Sequence, residues 1–407
     1  MIINTANVTK TSWVGVISLG LLTITSYGSW LYGFGVLINP INQTMGWSTT
    51  ALGLTYGIAQ SISGIGAFFG GRLLDRLGLK APLSLLALLG GGLMMAAFSA
   101  ESIFTFGLFY ATGAGITGAT GFYHITTVAS ARRHPQRPDR AIAILTIVGA
   151  FCSPIYLPLT AWLVENQGWR ITGRILAALA IAGALQAMVL ASGGRSIQSR
   201  PSARPLEALR KSIENPQVRR MLIAYVFAGM AVSTTLVYQV PILTAGGLTI
   251  GTAGVVGGLR GFCQIFGRMG LTAAVERHGT IKLLRSAYLL SALGVALLLF
   301  GALPTGVAYS VLAGIGIGAS SPLQAMYART NFAEGDLGLL MGLQGAAVGL
   351  ASGIGPIIGG ILHDQTNTWV PTLFMISFAL VASNLMLRSQ RKTLKTKLKP
   401  TIVAKNL

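Results

Sequence analysis

The sequence predicts an all-α integral membrane protein of twelve transmembrane helices, arranged as two pseudo-symmetric six-helix halves. Three observations lead there. Of the 407 residues, 52% are hydrophobic and only 10% charged, with a mean hydropathy of +0.65, whereas soluble domains carry roughly a quarter charged residues. Basic residues gather at alternate joints between the apolar stretches. The two halves of the chain also repeat one pattern of proline, glycine and charge.

Apolar stretches of about 20 residues recur along the chain, each long enough to cross a hydrocarbon core of about 30 Å as a helix. They place helices over 12–38, 48–72, 81–99, 103–131, 140–164, 169–192, 220–245, 250–275, 281–301, 305–330, 337–362 and 369–388. The first, Trp13 to Ile38, is too long for the core of a signal peptide and lacks a small-residue cleavage site. With the N-terminus inside, all but four of the 30 Lys and Arg residues fall at cytoplasmic joints or tails, as the positive-inside rule requires. The exceptions are Arg170, Arg174, Arg260 and Arg268. In a soluble protein a net charge of +20 points to nucleic acid. Here its placement is topogenic, and the basic tail faces anionic lipid.

The joint 194–219 is polar and basic, contains Pro201, Pro205 and Pro216, and falls near mid-chain. It divides an N-terminal half, 1–193, from a C-terminal half, 220–388, which is followed by a basic tail, 389–407. A shift of 201 residues carries Pro40 onto Pro241, Asp75 onto Glu276, Arg76 onto Arg277 and Gly78 onto Gly279, and a shift of 202 carries Pro154 onto Pro356. Such repeats place a transporter's substrate site at their interface near the bilayer midplane.

The joint after helix 2 reads Gly71-Arg72-Leu73-Leu74-Asp75-Arg76-Leu77-Gly78-Leu79-Lys80. It resembles the G-x-L-x-D-R-x-G-x-K signature of the major facilitator superfamily, and Glu276-Arg277-His278-Gly279 looks like a weakened second copy. A glycine there lets helices approach. Asp75 among arginines can hold one conformation and release another, so Gly71, Asp75, Arg76, Gly78, Glu276 and Arg277 form a candidate conformational motif. The segments Tyr32-Gly33-Phe34-Gly35-Val36, Gly46-Trp47-Ser48, Gly168-Trp169-Arg170 and Gly355-Pro356-Ile357-Ile358-Gly359-Gly360 resemble the branch holding the oxalate/formate antiporters and monocarboxylate transporters. Helix 5 has only Gly149 and Ser153-Pro154 in place of the G-P-x-x-G-G run of proton-coupled drug exporters.

Charges inside a membrane are costly and by default mark function. Arg170, at the outer interface, and Arg174, which can snorkel outward, read as structural. Arg268 precedes Glu276 by eight residues, about 12 Å of helix. It resembles the helix 8 arginine that pairs the substrate carboxylate in monocarboxylate and oxalate carriers. A guanidinium offers a carboxylate two parallel hydrogen bonds and stays charged throughout; the competing reading is a contact with helix-end carbonyls. Arg260, two turns away and about 80° round the helix, serves an outer vestibule, a second carboxylate, a lipid edge or a structural role. His124, eight residues before Arg132, sits at the depth of Arg268 on helix 4, which lines the cavity by resemblance; its alternative is a packing histidine. Tyr123, Gln264, Gln324 and Gln344 can supply neutral hydrogen bonds. Tyr27, Tyr32, Tyr238 and Tyr327 line the path or simply pack. Gln264 stands where many monocarboxylate carriers have Asp, and helices 1 and 11 contain no Lys, so neither proton coupling nor dicarboxylate specificity carries over.

All ten acidic residues fall at joints or helix ends. Coupling is then left to a proton on the substrate, to anion exchange, or to titration of His124 beside Arg268. Cys152 and Cys263 lie within apolar helices, so no disulfide framework or cysteine-rich metal site is available. The expectation is a secondary transporter of a small organic anion, best matched by a monocarboxylate, working as a monomer in the cell membrane with both termini cytoplasmic. It needs no cofactor, metal or nucleic-acid partner. Alternatives are a carrier of an uncharged or aromatic solute and a non-transporting receptor. No nucleophile triad or phosphate loop supports an enzyme.

Overall fold

Proline, glycine and short polar joints punctuate a chain that is otherwise helical. The computed structural model describes residues 13–77, 80–191, 214–331 and 334–387, with backbone alone for 67–77, 81–82, 87, 328–331, 334–343 and 346. The described residues form twelve spans. Helix 1 is Val14–Ser26, a π-helical turn Tyr27–Tyr32 and Gly33–Met45. Helix 2 is Thr49–Leu77, and helix 3 joins Lys80–Leu85, Leu86–Gly90 and Gly91–Ala97. Helix 4 is Ile103–Gly121 and Tyr123–Arg133. Helix 5 begins at Pro138–Ala150 and continues into Cys152–Leu190, where Gly168, at φ 73°, turns the chain into helix 6. Helix 7 is Pro216–Ala245, helix 8 is Ile250–Arg268 with Leu271–His278, and helix 9 is Thr280–Leu297. Helices 10, 11 and 12 are Leu303–Asn331, Glu334–Thr366 and Val370–Met386.

Two helices expected to be continuous are interrupted. Helix 4 breaks at Phe122, whose backbone is extended (φ −82°, ψ 167°). Helix 8 breaks at Met269 and Gly270, and Gly270 takes the left-handed conformation (φ 65°) that glycine tolerates. The π turn in helix 1 lies against the first break, and such turns cluster at functional sites. Helix 7 starts at Pro216, inside the stretch read as a joint, because Asn215 caps it by accepting from the Gln217 N–H at 2.9 Å.

The perimeter is apolar and outward-facing: Phe104 is 78% exposed, Leu88 77% and Phe378 69%, as side chains bathed in lipid should be. The interior is close-packed. A Cβ on Gly35 would lie 2.3 Å from the Val237 carbonyl oxygen, and one on Gly57 2.4 Å from that of Gly353. Only glycine lets the backbones of the two halves meet there.

One end of the molecule is sealed by contacts between the halves. Asn39 Nδ2 donates to Thr244 Oγ1 at 2.8 Å. The Asp364 carboxylate, at the end of helix 11, accepts from the N–H groups of Thr49 (3.1 Å) and Thr50 (2.7 Å) at the start of helix 2. Glu165, at the end of helix 5, accepts from the Gly251 N–H at the start of helix 8, at 2.8 Å.

Candidate functional site

Below that seal the halves part around a cavity of 670 Å³. Helix 1 contributes Tyr27 and Leu31, helix 2 Gln60, Ser61 and Ser63 to Ile65, and helix 4 Phe122 and His124. From the other half come Ser321 and Gln324 of helix 10 and Gln344, Gly345, Val348 to Leu350 and Ser352 of helix 11. The cavity therefore lies at the repeat interface, on the far side of the midplane from the seal.

Its aromatic wall is built by the breaks. Gly121 is pressed so closely on Ser26 that a Cβ would fall 1.9 Å from Ser26 Oγ, and the extended Phe122 then turns its ring into the bundle. Tyr27 stacks on Phe122 at 3.8 Å and 14°, and Trp30 lies nearly parallel to Phe122 at 5.4 Å and 8°. Helix 4 restarts at Tyr123, which leaves His124 in its first turn, exposed to the cavity.

Four of the eight residues expected to bind substrate line the cavity: Tyr27, His124, Gln324 and Gln344. Gln324 Nε2 donates to the Tyr288 hydroxyl at 2.8 Å, which fixes its amide against helix 9. Gln344 Oε1 is buried without a hydrogen-bond partner. Tyr123 and not His124 stands beside Arg268, because adjacent residues on the restarted helix point about 100° apart.

Arg268 is half-buried at the last residue of its helical segment, where a cation complements the helix dipole. Its Nε donates to the Gly318 carbonyl at 3.4 Å. The expected depth of 12 Å assumed an unbroken helix as far as Glu276, and the break at Gly270 removes that assumption. Gln264 packs by its backbone on Gly318, so helix 10 holds both residues.

Arg260 is placed differently from any lipid edge: it is 0% exposed. Nε donates to Gln239 Oε1 at 2.8 Å and Nη2 to Ser153 Oγ at 3.2 Å. The guanidinium carbon lies 5.9 Å from the Tyr32 ring centroid, and the Tyr309 hydroxyl donates to the same Gln239 oxygen at 3.3 Å. Nη1 has no hydrogen-bond partner.

Of the remaining tyrosines, Tyr238 donates to the Pro356 carbonyl at 2.7 Å and Tyr327 accepts from Gln217 at 3.3 Å. Arg170 donates to the carbonyls of Phe98 and Ala100 at 3.0 and 3.1 Å, and Arg174 to Ser99 Oγ at 3.0 Å. The motif residues Gly71, Asp75 and Arg76 lie among those with backbone alone, and Gly78 lies outside the described residues. Glu276 and Arg277 are exposed on Leu271–His278. No cluster of metal-ligating side chains occurs among the described residues.

Sequence reasoning passed over Gln60, Phe122, Ser153 and Gln239. A signal existed for two of them. Gln60 is the sole amide side chain in the apolar stretch 48–72 and Gln239 in 220–245, and a lone amide in hydrocarbon needs a partner.

Two six-helix halves around a shared cavity, sealed at one end, define a membrane carrier and not an enzyme. The chain belongs to the Major Facilitator Superfamily, whose family model matches residues 19–246 and 221–404. No curated protein matches the sequence. Among solved structures, a mutant of the nucleoside transporter NupG superposes with a TM-score of 0.79 at 14% identity, covering 92% of this chain and 98% of that one. A bacterial homologue of the human lysosomal transporter Spinster, in an inward-facing and unoccupied conformation, gives 0.72 at 16% over 94% and 95%. A POT family transporter in complex with 5-aminolevulinic acid gives 0.72 at 12% over 92% and 95%. At these identities the likeness is one of fold.

Proposed function

We propose that this transporter carries a small organic anion, a monocarboxylate in the simplest case, by alternating access. The supporting observation is an interior that holds arginines and no described carboxylate. Arg260 is fully buried within the bundle and Arg268 is half-buried at the break inside helix 8, whereas Glu101, Asp139, Glu165, Glu214, Glu276 and Asp364 all fall at the ends of the spans or in joints. A buried cation without a counter-ion costs several kcal/mol in a medium of low dielectric, and a substrate anion offsets that cost each time it binds. The resemblance of the Arg268 region to monocarboxylate and oxalate carriers supports the same reading. The end rich in basic joints is cytoplasmic on this reading, so the cavity faces inward and both termini are cytoplasmic.

A second reading, an uncharged or aromatic solute, draws on the Tyr27–Phe122 wall and on a cavity in the drug-sized range of about 300–1,000 Å³. Counterflow in proteoliposomes separates the two. Carboxylates should exchange, and nucleosides and other neutral solutes should not; exchange of neutral solutes alone would overturn the anion reading.

A further inference from the structure

Arg260 does not border the cavity, yet it is a fully buried cation whose hydrogen-bond partners are both neutral. Its guanidinium is fully buried about 15 Å along helix 8 from Ile250, near the middle of the span. It has two neutral acceptors, an aromatic neighbour, and one nitrogen with no partner. Gln239 and Ser153 can orient the fork but cannot neutralise it. Arginine does not shed its proton in proteins, so neutrality has to come from an anion. The acceptors also come from opposite halves: Gln239 from helix 7, and Ser153 from helix 5, against which a Cβ on Gly261 would lie 2.3 Å from Oγ. Rocking that opens the sealed end moves helix 5 away from helix 8. That motion strips Ser153 from the guanidinium and opens a route to it from the sealed side.

We infer that Arg260 is a second anion-binding station, separate from Arg268 by about 12 Å along the helix, which is loaded when the sealed end opens. This inference rests on the organic-anion reading. Its ligand is a small anion able to accept two N–H bonds from one guanidinium. Such an anion comes either from a carboxylate of the substrate or from an inorganic ion such as chloride. The Ser153 bond present here is what replaces the anion while that end is closed. An arginine kept for this purpose makes the empty protein less stable, not more.

The test is thermal unfolding of the purified full-length protein in a buffer whose HEPES anion is replaced by acetate or chloride at constant ionic strength. Wild type should gain about 2 °C or more in Tm with the effective anion. Arg260→Gln should melt at or above wild type in the HEPES buffer and lose at least half of that gain. Arg260→Lys should recover part of it, and Arg268→Gln should keep a residual response. A response to acetate alone assigns the station to a substrate carboxylate, and an equal response to chloride assigns it to an inorganic anion. A full response in Arg260→Gln overturns the second station and leaves the organic-anion reading standing. No response of wild type to either anion overturns both.

Discussion

At the residue scale, Arg268 and His124 have separable duties. Arg268→Lys keeps the charge but loses the planar fork that matches a carboxylate. Transport should fall at least about 10-fold, the size expected for one lost charge-assisted bond, while expression and membrane insertion stay at wild-type level. Equal counterflow rates for variant and parent would sink the anchor role. His124 faces the cavity without touching Arg268, and no described carboxylate is available at mid-membrane to carry a proton. His124→Gln should therefore retain anion exchange while pH-driven accumulation declines, read by counterflow with and without an imposed pH gradient. Loss of exchange itself in a well-inserted variant would move His124 into the binding site. Arg170 and Arg174 satisfy carbonyl and hydroxyl groups near the sealed end, and Arg174→Lys should be nearly silent in the same assay.

At the element scale, the seal is a reciprocal pair of caps. The acid ending helix 11 caps the start of helix 2 in the opposite half, and the acid ending helix 5 caps the start of helix 8. The twofold relation between the halves exchanges helix 5 with 11 and helix 2 with 8, so one cap is the image of the other. Each puts a carboxylate on the positive end of a helix dipole, and each must break when the sealed end opens. Losing such a cap costs about 0.5–2 kcal/mol, or roughly 2- to 30-fold in the ratio of sealed to open molecules. Asp364→Asn and Glu165→Gln should each speed alkylation of a single cysteine at Ile242, buried beneath the seal, by a factor in that range. Unchanged rates in both variants would show that packing alone holds the seal.

The breaks belong to this scale too. The periodicity of helices 4 and 8 reads as continuous because Phe122, Met269 and Gly270 differ little in polarity from their neighbours. What interrupts each helix is local: the crowding of Gly121 on Ser26, and the left-handed turn at Gly270. Neither is visible in a hydrophobic pattern, and together they decide that His124 faces the cavity and that Arg268 ends a helix.

At the scale of the whole molecule, cysteine labelling measures the topology directly. With basic joints inside, a cysteine introduced at Ser199 should label only from the cytoplasmic face and one at Asn367 only from outside. Labelling of both from one face would reverse the orientation or change the number of spans. The even number of apolar stretches, the alternation of basic joints and the Pro40/Pro241 and Asp75/Glu276 repeats were all legible in the linear sequence. They are one-dimensional consequences of membrane thickness, insertion electrostatics and duplication. The candidate site was legible only in part. Sequence position singles out Arg260, Arg268, His124 and the lone amides as costly in hydrocarbon, and that cost does not depend on where the side chains point. Tertiary structure alone decided that Tyr27, Phe122 and His124 share a cavity with Gln324 and Gln344, and that Arg260 is sealed between Gln239 and Ser153. Those neighbours lie on different helices, some in different halves, and their meeting depends on glycine contacts and helix breaks that no pattern of hydrophobicity along the chain encodes.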